Sequence, residues 1–378
     1  MEDPYDEARL EYQGGRLKRC REMLGELLAK QPQHVPGLIL WGIVAGQRRE
    51  LDEALQAFER VLAIQPENPR AHFNKANILL LLGDWEEGWR HYEWRWQLAE
   101  FAAWRSASPS RPLWSGQPLQ GKTVLLRCEQ GLGDTLQFCR YVKPLAERGA
   151  HVILEAQRPL VSLLADLDGL GQIVTQGAQM PECDYYCPLL SLPLACKTTV
   201  ANVPQAQPYL TADAAKVAEW RARLGERAVP RVGLVWRGTA ARANDDRRSL
   251  PLQTLLTQLP VGPEYVSLQK QLDSAESQLL RNNPQIGNFA PLLHDFSDTA
   301  ALCQCLDIVI SIDTSVAHLS AALGKPTIIL LQFSPAWRWL LDRDDSPWYR
   351  SARLVRQRQA DEWVDVCARA AQLLRNGL

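Results

Sequence analysis

The chain has 378 residues, 46% of them hydrophobic and 22% charged, which excludes a disordered protein and provides for two or three domains with substantial apolar cores. Lys and Arg total 42 against 43 Asp and Glu, a formal charge of −1, so no nucleic-acid partner is expected. No apolar stretch reaches bilayer length, the first residues lack the pattern of a secretory signal, and nine Cys sit mostly in apolar segments; the expectation is a reduced, cytoplasmic chain with no membrane span.

Pro32 and Pro66 lie 34 residues apart, each closing a short polar turn. In that register Leu17, Leu51 and Trp85 align, as do Leu24, Phe58 and Tyr92, and the small residues Cys20, Ala54 and Gly88. Gly15 and Gly83 occupy the turn within each helical hairpin, with Arg49 at the same place between them. The period and its positions resemble tetratricopeptide repeats through about residue 96. Each hairpin has an apolar face that it cannot bury alone, and about three stacked hairpins form a continuous core. Trp85, Trp89, Tyr92 and Trp96 recur at helical spacing, which places them on one face of a last helix. That face reads as a packing surface, with a ligand-binding aromatic strip as the alternative.

After the breaker-rich stretch 107–122 the periodicity changes. TVLLRC at 123–128 and HVILEAQ at 151–157 read as strands, with TLQFCRYVKPLAERG as a helix between them. Segments around Ile173, Tyr185 and Leu189 offer further strands. A polar helix over Asp213 to Arg223 and the Pro230 joint divide this lobe from a second. There VGLVW, YVSLQ, LDIVISI, TIILLQF and ARLVRQ read as strands, and EWVDVCARAAQLL as a final helix packing back on either lobe. Strands alternating with helices predict parallel sheets covered on both faces. Two such lobes leave a cleft at the carboxyl ends of their strands. Cys183 with Cys187, and Cys303 with Cys305, lack the rest of a ligand set, so no metal is expected.

Three places sit at those strand ends. Gly131, Gly133 and Asp134 follow the first strand, where glycines admit a ligand to the backbone. Asp134 has two readings. With Gln137 it has capping-box spacing for the next helix, or it is a general base that takes a proton from an attacking hydroxyl. Asp313, Thr314 and Ser315 lie between LDIVISI and SVAHLSAALG, so hydroxyls and the N–H groups of a helix start meet there and suit a phosphate, with His318 one turn on. The alternative is a capped helix with an ordinary polar His318. Trp236, Arg237 and Gly238 end the VGLVW strand, and Arg237, Arg247 or Arg248 would neutralise a phosphate; a solvated loop is the alternative. Ser249 reads as the cap of the following helix. Gln269 ends YVSLQ and faces the same cleft. Residues 335–350 carry three Trp and a Tyr among charges, and read as joint packing or as cover for a nucleotide base.

Taken together, EQGLGDTLQFCRY, VGLVWRG, RRSLPL, YVSLQ, VISIDTSVAHLSAALGKP and WRWLLDRDDSPWY resemble bacterial tetratricopeptide proteins with a glycosyltransferase-like C-terminal half. That half resembles the GT-B superfamily near heptosyltransferase-type enzymes and, distantly, protein O-GlcNAc transferases. The resemblance implies all-α tetratricopeptide repeats followed by an α/β GT-B-like architecture of two facing Rossmann-like lobes. The expected division is a helical domain over 1–100, an acceptor-side lobe over 115–228, a nucleotide-sugar lobe over 229–360 and a C-terminal helix over 361–378. It implies Asp134 as base, Asp313, Thr314 and His318 as the DTxxxH motif at the donor phosphates and ribose, and Trp236 to Thr239 and Gln269 on the donor. Relatives commonly read W-A-G-N where this chain has Trp236-Arg237-Gly238-Thr239, and a histidine is missing near Ala241 to Ala243. The expected activity is sugar transfer from a nucleotide-sugar co-substrate to an acceptor hydroxyl, on a protein or peptide presented by the repeats, with inversion and without cofactor or metal. The alternative is a protein-binding scaffold with a degenerate transferase domain.

Overall fold

The computed structural model describes residues 3–106, 110–204, 208–226, 228–238 and 248–377. They form two compact units, one made of the residues up to 106 with Ser334–Leu341, the other of the remainder.

The first unit is a series of helical hairpins: α1 (Pro4–Gln13) with α2 (Leu17–Lys30), α3 (Val35–Gln47) with α4 (Leu51–Ile64), and α5 (Pro69–Leu82) with α6 (Trp85–Tyr92). The sequence register reappears as burial: Leu24, Phe58 and Tyr92 are inside, as are Cys20 and Ala54. Local chemistry starts the helices. The Asn68 side chain accepts from Ala71 N–H at 3.0 Å, and Pro69 fills the first turn, where its missing N–H costs nothing. The three hairpin turns share a backbone state, with φ of 74° at Gly15, 61° at Arg49 and 89° at Gly83.

The aromatic face divides where α6 ends. Residues 93–97 tighten into a 3₁₀ turn, so Trp96 leaves the face it was expected to share and stacks on Trp104, ring centroids 4.5 Å apart. Trp89 and Tyr92 instead meet Trp337, at 5.0 and 6.3 Å. The segment Ser334–Leu341 thus completes the core of this unit from far along the chain.

The second unit holds two parallel sheets. In the first, β1 (Thr123–Arg127), β2 (His151–Ala156), β3 (Leu170–Thr175) and β4 (Tyr185–Pro188) run in the order β3-β2-β1-β4. In the second, β5 (Arg231–Val235), β6 (Glu264–Ser267), β7 (Ile286–Asn288), β8 (Ile308–Ile312), β9 (Thr327–Leu331) and β10 (Ala352–Arg356) run β10-β9-β8-β5-β6-β7. The strand β7 was not anticipated: three residues with a central glycine carry no apolar run. Leu189 opens a 3₁₀ turn and is not in a strand.

The helix expected after β1 is broken into Leu132–Phe138, a 3₁₀ turn over Cys139–Tyr141, and Val142–Glu147. Pro144 has no N–H to give and its ring crowds the carbonyl four residues back. The linker helix Ala214–Leu224 is capped by Asp213, which accepts from Lys216 N–H at 2.8 Å. The final helix, Trp363–Gly377, belongs to the second lobe: Trp363, Val366, Cys367, Ala370 and Leu374 share a core with Val232, Leu234, Ile310 and Leu330.

Candidate functional site

Both sheets place the expected residues at topological switch points. In the second sheet, chain order runs outward from β5 to β6 and β7, then reverses to β8, β9 and β10 on its other side. The crevice between the carboxyl ends of β5 and β8 is where doubly wound sheets take ligands. Trp236 to Gly238 leave β5 there, and Asp313 to Ser315 leave β8. In the first sheet the reversal falls between β1 and β4, and Gly131 to Asp134 follow β1.

The loop after β1 is held from several sides. Beneath it, Arg127 Nε donates to Glu155 Oε2 at 2.9 Å in an ion pair whose partners face each other across β1 and β2. Gln157 donates to Gln130 O at 3.0 Å and accepts from Thr135 Oγ1 at 2.8 Å, while Glu129 accepts from Leu190 N–H at 2.9 Å. The helix Leu132–Phe138 begins with Gly131 as its N-cap residue, and Asp134 reaches back to accept the Gly131 N–H at 2.9 Å. The capping role therefore differs from the one expected with Gln137: Asp134 stands three residues inside the helix, half-buried, with its carboxylate over the first turn.

The turn after β8 is built on hydroxyls. Thr314 caps the helix Ser315–Ala322, and its Oγ1 lies 3.0 Å from Ser311 Oγ. The first-turn N–H groups of that helix have no intrahelical acceptor and suit an anion. His318 is buried at 3% exposure, with Nδ1 2.8 Å from Tyr349 Oη and Nε2 3.7 Å from Asp313 Oδ1.

The two turns meet. A Cβ at Gly133 would lie 2.8 Å from His318 Cδ2 and 3.5 Å from Ser315 Cα, so only glycine allows this approach. Gly133 therefore brings the Asp134 turn of one lobe against the Asp313–His318 turn of the other.

The segment after β5 departs from expectation. Trp236 is fully buried in the second-lobe core and its indole N–H donates to Glu276 Oε1 at 2.8 Å, so its ring is a packing element and not a ligand surface. The Arg237 guanidinium is 2.8 Å from Glu276 and 3.2 Å from Asp273, so its charge is already matched by two carboxylates. Those carboxylates form a reciprocal capping box on the helix Ser274–Asn282, a D-x-x-E signal legible in the sequence. Gln269 is buried and accepts the Arg237 backbone N–H at 3.2 Å. Arg248 comes near Gly238, its Nη2 at ordinary contact distance, 3.8 Å, from where a Cβ would stand. Ser249 does not cap the next helix; Pro251 holds that position without a side-chain bond. Arg247 and Thr239 lie outside the described residues.

Sequence reasoning missed Arg140 and Tyr349. Arg140 is fully buried, its guanidinium over the rings of Tyr209, Trp348 and Tyr349 at 4.7, 5.2 and 4.8 Å. Burial opposes its charge, yet Tyr209 and Tyr349 leave its hold on the proton raised, while burial pushes the Tyr209 phenol up to about 12. Among the described residues no cluster of three or more His, Cys, Asp or Glu is placed to hold a metal.

The tetratricopeptide repeat family model matches residues 47–88, and that of glycosyltransferase family 9 (heptosyltransferase) matches residues 272–367. The chain is similar to tetratricopeptide repeats over the first of these segments and to glycosyltransferase family 9 over the second. Protein FlbA of Caulobacter vibrioides is 28% identical over 329 residues, covering 80% of this chain and 54% of FlbA. The chain thus spans about half the length of that relative. A family 9 glycosyltransferase from Veillonella parvula aligns with a TM-score of 0.50 at 9% identity, over 64% of this chain and 88% of its own. E. coli ADP-heptose LPS heptosyltransferase II aligns at a TM-score of 0.49 and 12% identity, over 68% of this chain and 100% of its own. The Veillonella likeness concerns the fold, two parallel-sheet lobes of GT-B type. The family 9-like region contains Asp313, Thr314, His318 and Tyr349, whereas Asp134 precedes it.

Proposed function

We propose that this chain is a glycosyltransferase that moves a sugar from a nucleotide-sugar to an acceptor hydroxyl. The observation that carries the reading is the approach of Gly133 to His318 and Ser315, which sets the Asp134 turn against the helix start after Asp313. The family 9 match over the second of these turns supports it. The lobe over 229–360 takes the donor, and its diphosphate lies at the first-turn N–H groups of Ser315–Ala322. The lobe over 115–228 faces the acceptor. Asp134 is the base, its carboxylate standing over the first turn of Leu132–Phe138. It takes the acceptor proton as the acceptor oxygen bonds to the anomeric carbon. The bond from that carbon to the diphosphate oxygen breaks, and the configuration inverts. Backbone N–H groups and His318 stabilise the charge on the leaving nucleotide.

The repeats would present a protein or peptide acceptor. The matched charge of Arg237 favours the second reading, a binding scaffold with a degenerate transferase domain, because it leaves one fewer cation for phosphate. Ligand-detected binding of a nucleotide-sugar panel, with Asp313→Ala as control, separates the two. The transferase reading expects at least one donor to bind wild type and to bind the control at least about 10-fold more weakly. It also expects Asp134→Asn to keep donor affinity and lose transfer. Folded protein that binds no nucleotide-sugar would leave the scaffold reading.

A further inference from the structure

The chain makes a detour between β9 and β10. Residues 334–341 belong to the first unit, whereas β9 before them and Trp348 and Tyr349 after them belong to the second. Phe333 N–H donates to Gln357 Oε1 at 2.9 Å, and the next residue, Ser334, donates from Oγ to the Gly46 carbonyl of α3 at 3.3 Å. Trp337, Trp339 and Leu340 are then buried, with the Trp337 ring edge to face against Trp89 and Tyr92 of α6. The way back is strained. The 3₁₀ turn over Trp337–Trp339 ends at Leu340 with φ 54° and ψ −165°, at the edge of a region that glycine alone enters freely. Asp342 also has a positive φ, 51°. Such a conformation persists only where its surroundings hold it, and the buried indoles of the turn supply that hold. Beyond the reversal the chain brings two rings to the candidate site. The Trp348 carbonyl accepts from Arg140 Nη1 at 2.8 Å, and its ring meets Phe138, in the helix that carries Asp134, at 5.5 Å. Tyr349 Oη lies 2.8 Å from His318 Nδ1, in the helix after Asp313.

We infer that Ser334–Leu341 is a strained clasp through which the helical repeats control the donor site. Seated against α6, the clasp fixes the direction from which residues 342–349 return. It thereby holds Trp348 and Tyr349 on the two helices that carry Asp134 and His318. Unseated, the Leu340 backbone relaxes to an ordinary conformation, and the return no longer delivers those rings. A protein or peptide that rearranges α6 on binding the repeats weakens donor binding, and by linkage donor binding tightens the clasp. The effect on the donor rests on the transferase reading; the coupling of the clasp to the two helices does not.

The test is hydrogen exchange of the full chain, read by mass spectrometry along a denaturant series. In the wild type, peptides over 342–350 should open in the same step as α5 and α6, and exchange at least roughly 10-fold faster than β8 and β9. Trp89→Leu removes the ring against Trp337 and lies far along the chain from the candidate site. In that variant exchange over 342–350 and Ser315–Ala322 should rise at least roughly 10-fold, with β2 unchanged. A rise confined to the repeats and 334–341, or a wild type in which 342–350 opens only with β9 and β10, would overturn the inference, since the lobe alone would then hold Trp348 and Tyr349. The wild-type series decides the coupling by itself, so a variant that folds poorly leaves the test standing. A nucleotide-sugar that binds the wild type should bind Trp89→Leu at least about 10-fold more weakly; equal affinity would overturn control of the donor site. Absence of any nucleotide-sugar binding with the expected exchange pattern would count against the transferase reading and not against the clasp.

Discussion

Arg49 stands where the neighbouring hairpins have Gly15 and Gly83, and the turn imposes the same left-handed backbone on all three. Glycine meets that demand without a Cβ penalty; arginine does not. Arg49→Gly should be more stable than Arg49→Ala by about 1 kcal/mol, read from denaturant unfolding. Comparing two truncations removes the Arg49 side-chain contacts from the difference. Equal stability would mean the turn carries no strain at that position. Gly133 illustrates the other use of glycine, since it is needed for the room it leaves to His318. In the sequence Gly83 and Gly133 are both plain glycine signals, and only the His318 ring beside Gly133 tells their uses apart.

Within the last hairpin, α5 and α6 bring His72 and His91 together, Nδ1 to Nδ1 at 2.7 Å, with His72 also stacked on Trp94 at 3.9 Å. Burial lowers the proton affinity of both rings, and the neighbouring His72 adds to it for His91, which falls to about 4. The sign follows from linkage. Both rings are neutral in the folded hairpin, while the unfolded chain takes up protons below roughly pH 6.5. Stability is therefore complete above that pH and declines as pH falls toward about 4. The expected loss is on the order of 1 kcal/mol, since His91 is partly solvated. Thermal unfolding of the first-unit transition across this window should show it, and His91→Gln should flatten the slope. A transition equally stable at both ends would refute the assignment. Periodicity placed these histidines on helices; it could not pair them, because they lie on different helices.

The two sheets show what holds the second unit together. β5 and β1 are central strands with neighbours on both sides, and the candidate turns leave from them and from β8. The final helix closes the second lobe by covering Val232, Leu234 and Val355 with Trp363, Val366 and Leu374. A chain ending at residue 360 would expose that apolar face. Limited proteolysis should then cleave the 229–360 region at least roughly 10-fold faster than in the full chain, with the repeats still protected. Unchanged protection would show that the helix is dispensable to the lobe. No described helix is long and apolar enough to cross a membrane.

The sequence by itself determined the features whose causes lie within a few residues or within one repeat. The 34-residue register, the apolar strand runs, the hydroxyl cap at Thr314 and the glycines before Asp134 were all visible there. Those signals act along the chain, through side-chain period, backbone conformation and local hydrogen bonds. Tertiary structure decided the rest. Strand order depends on which crossovers bury both faces of a sheet, and no single strand encodes it. Arg237 looked like a bare cation at a strand end until Asp273 and Glu276, more than thirty residues on, were brought beside it. Trp236, which the family resemblance placed at the donor, has its ring closed into the core. Arg140 finds partners for its buried charge only because residues 208 positions apart meet, as in the bond from Arg140 to Trp348 O. Burial selects such partners, because a charge removed from water must find compensation wherever the fold provides it.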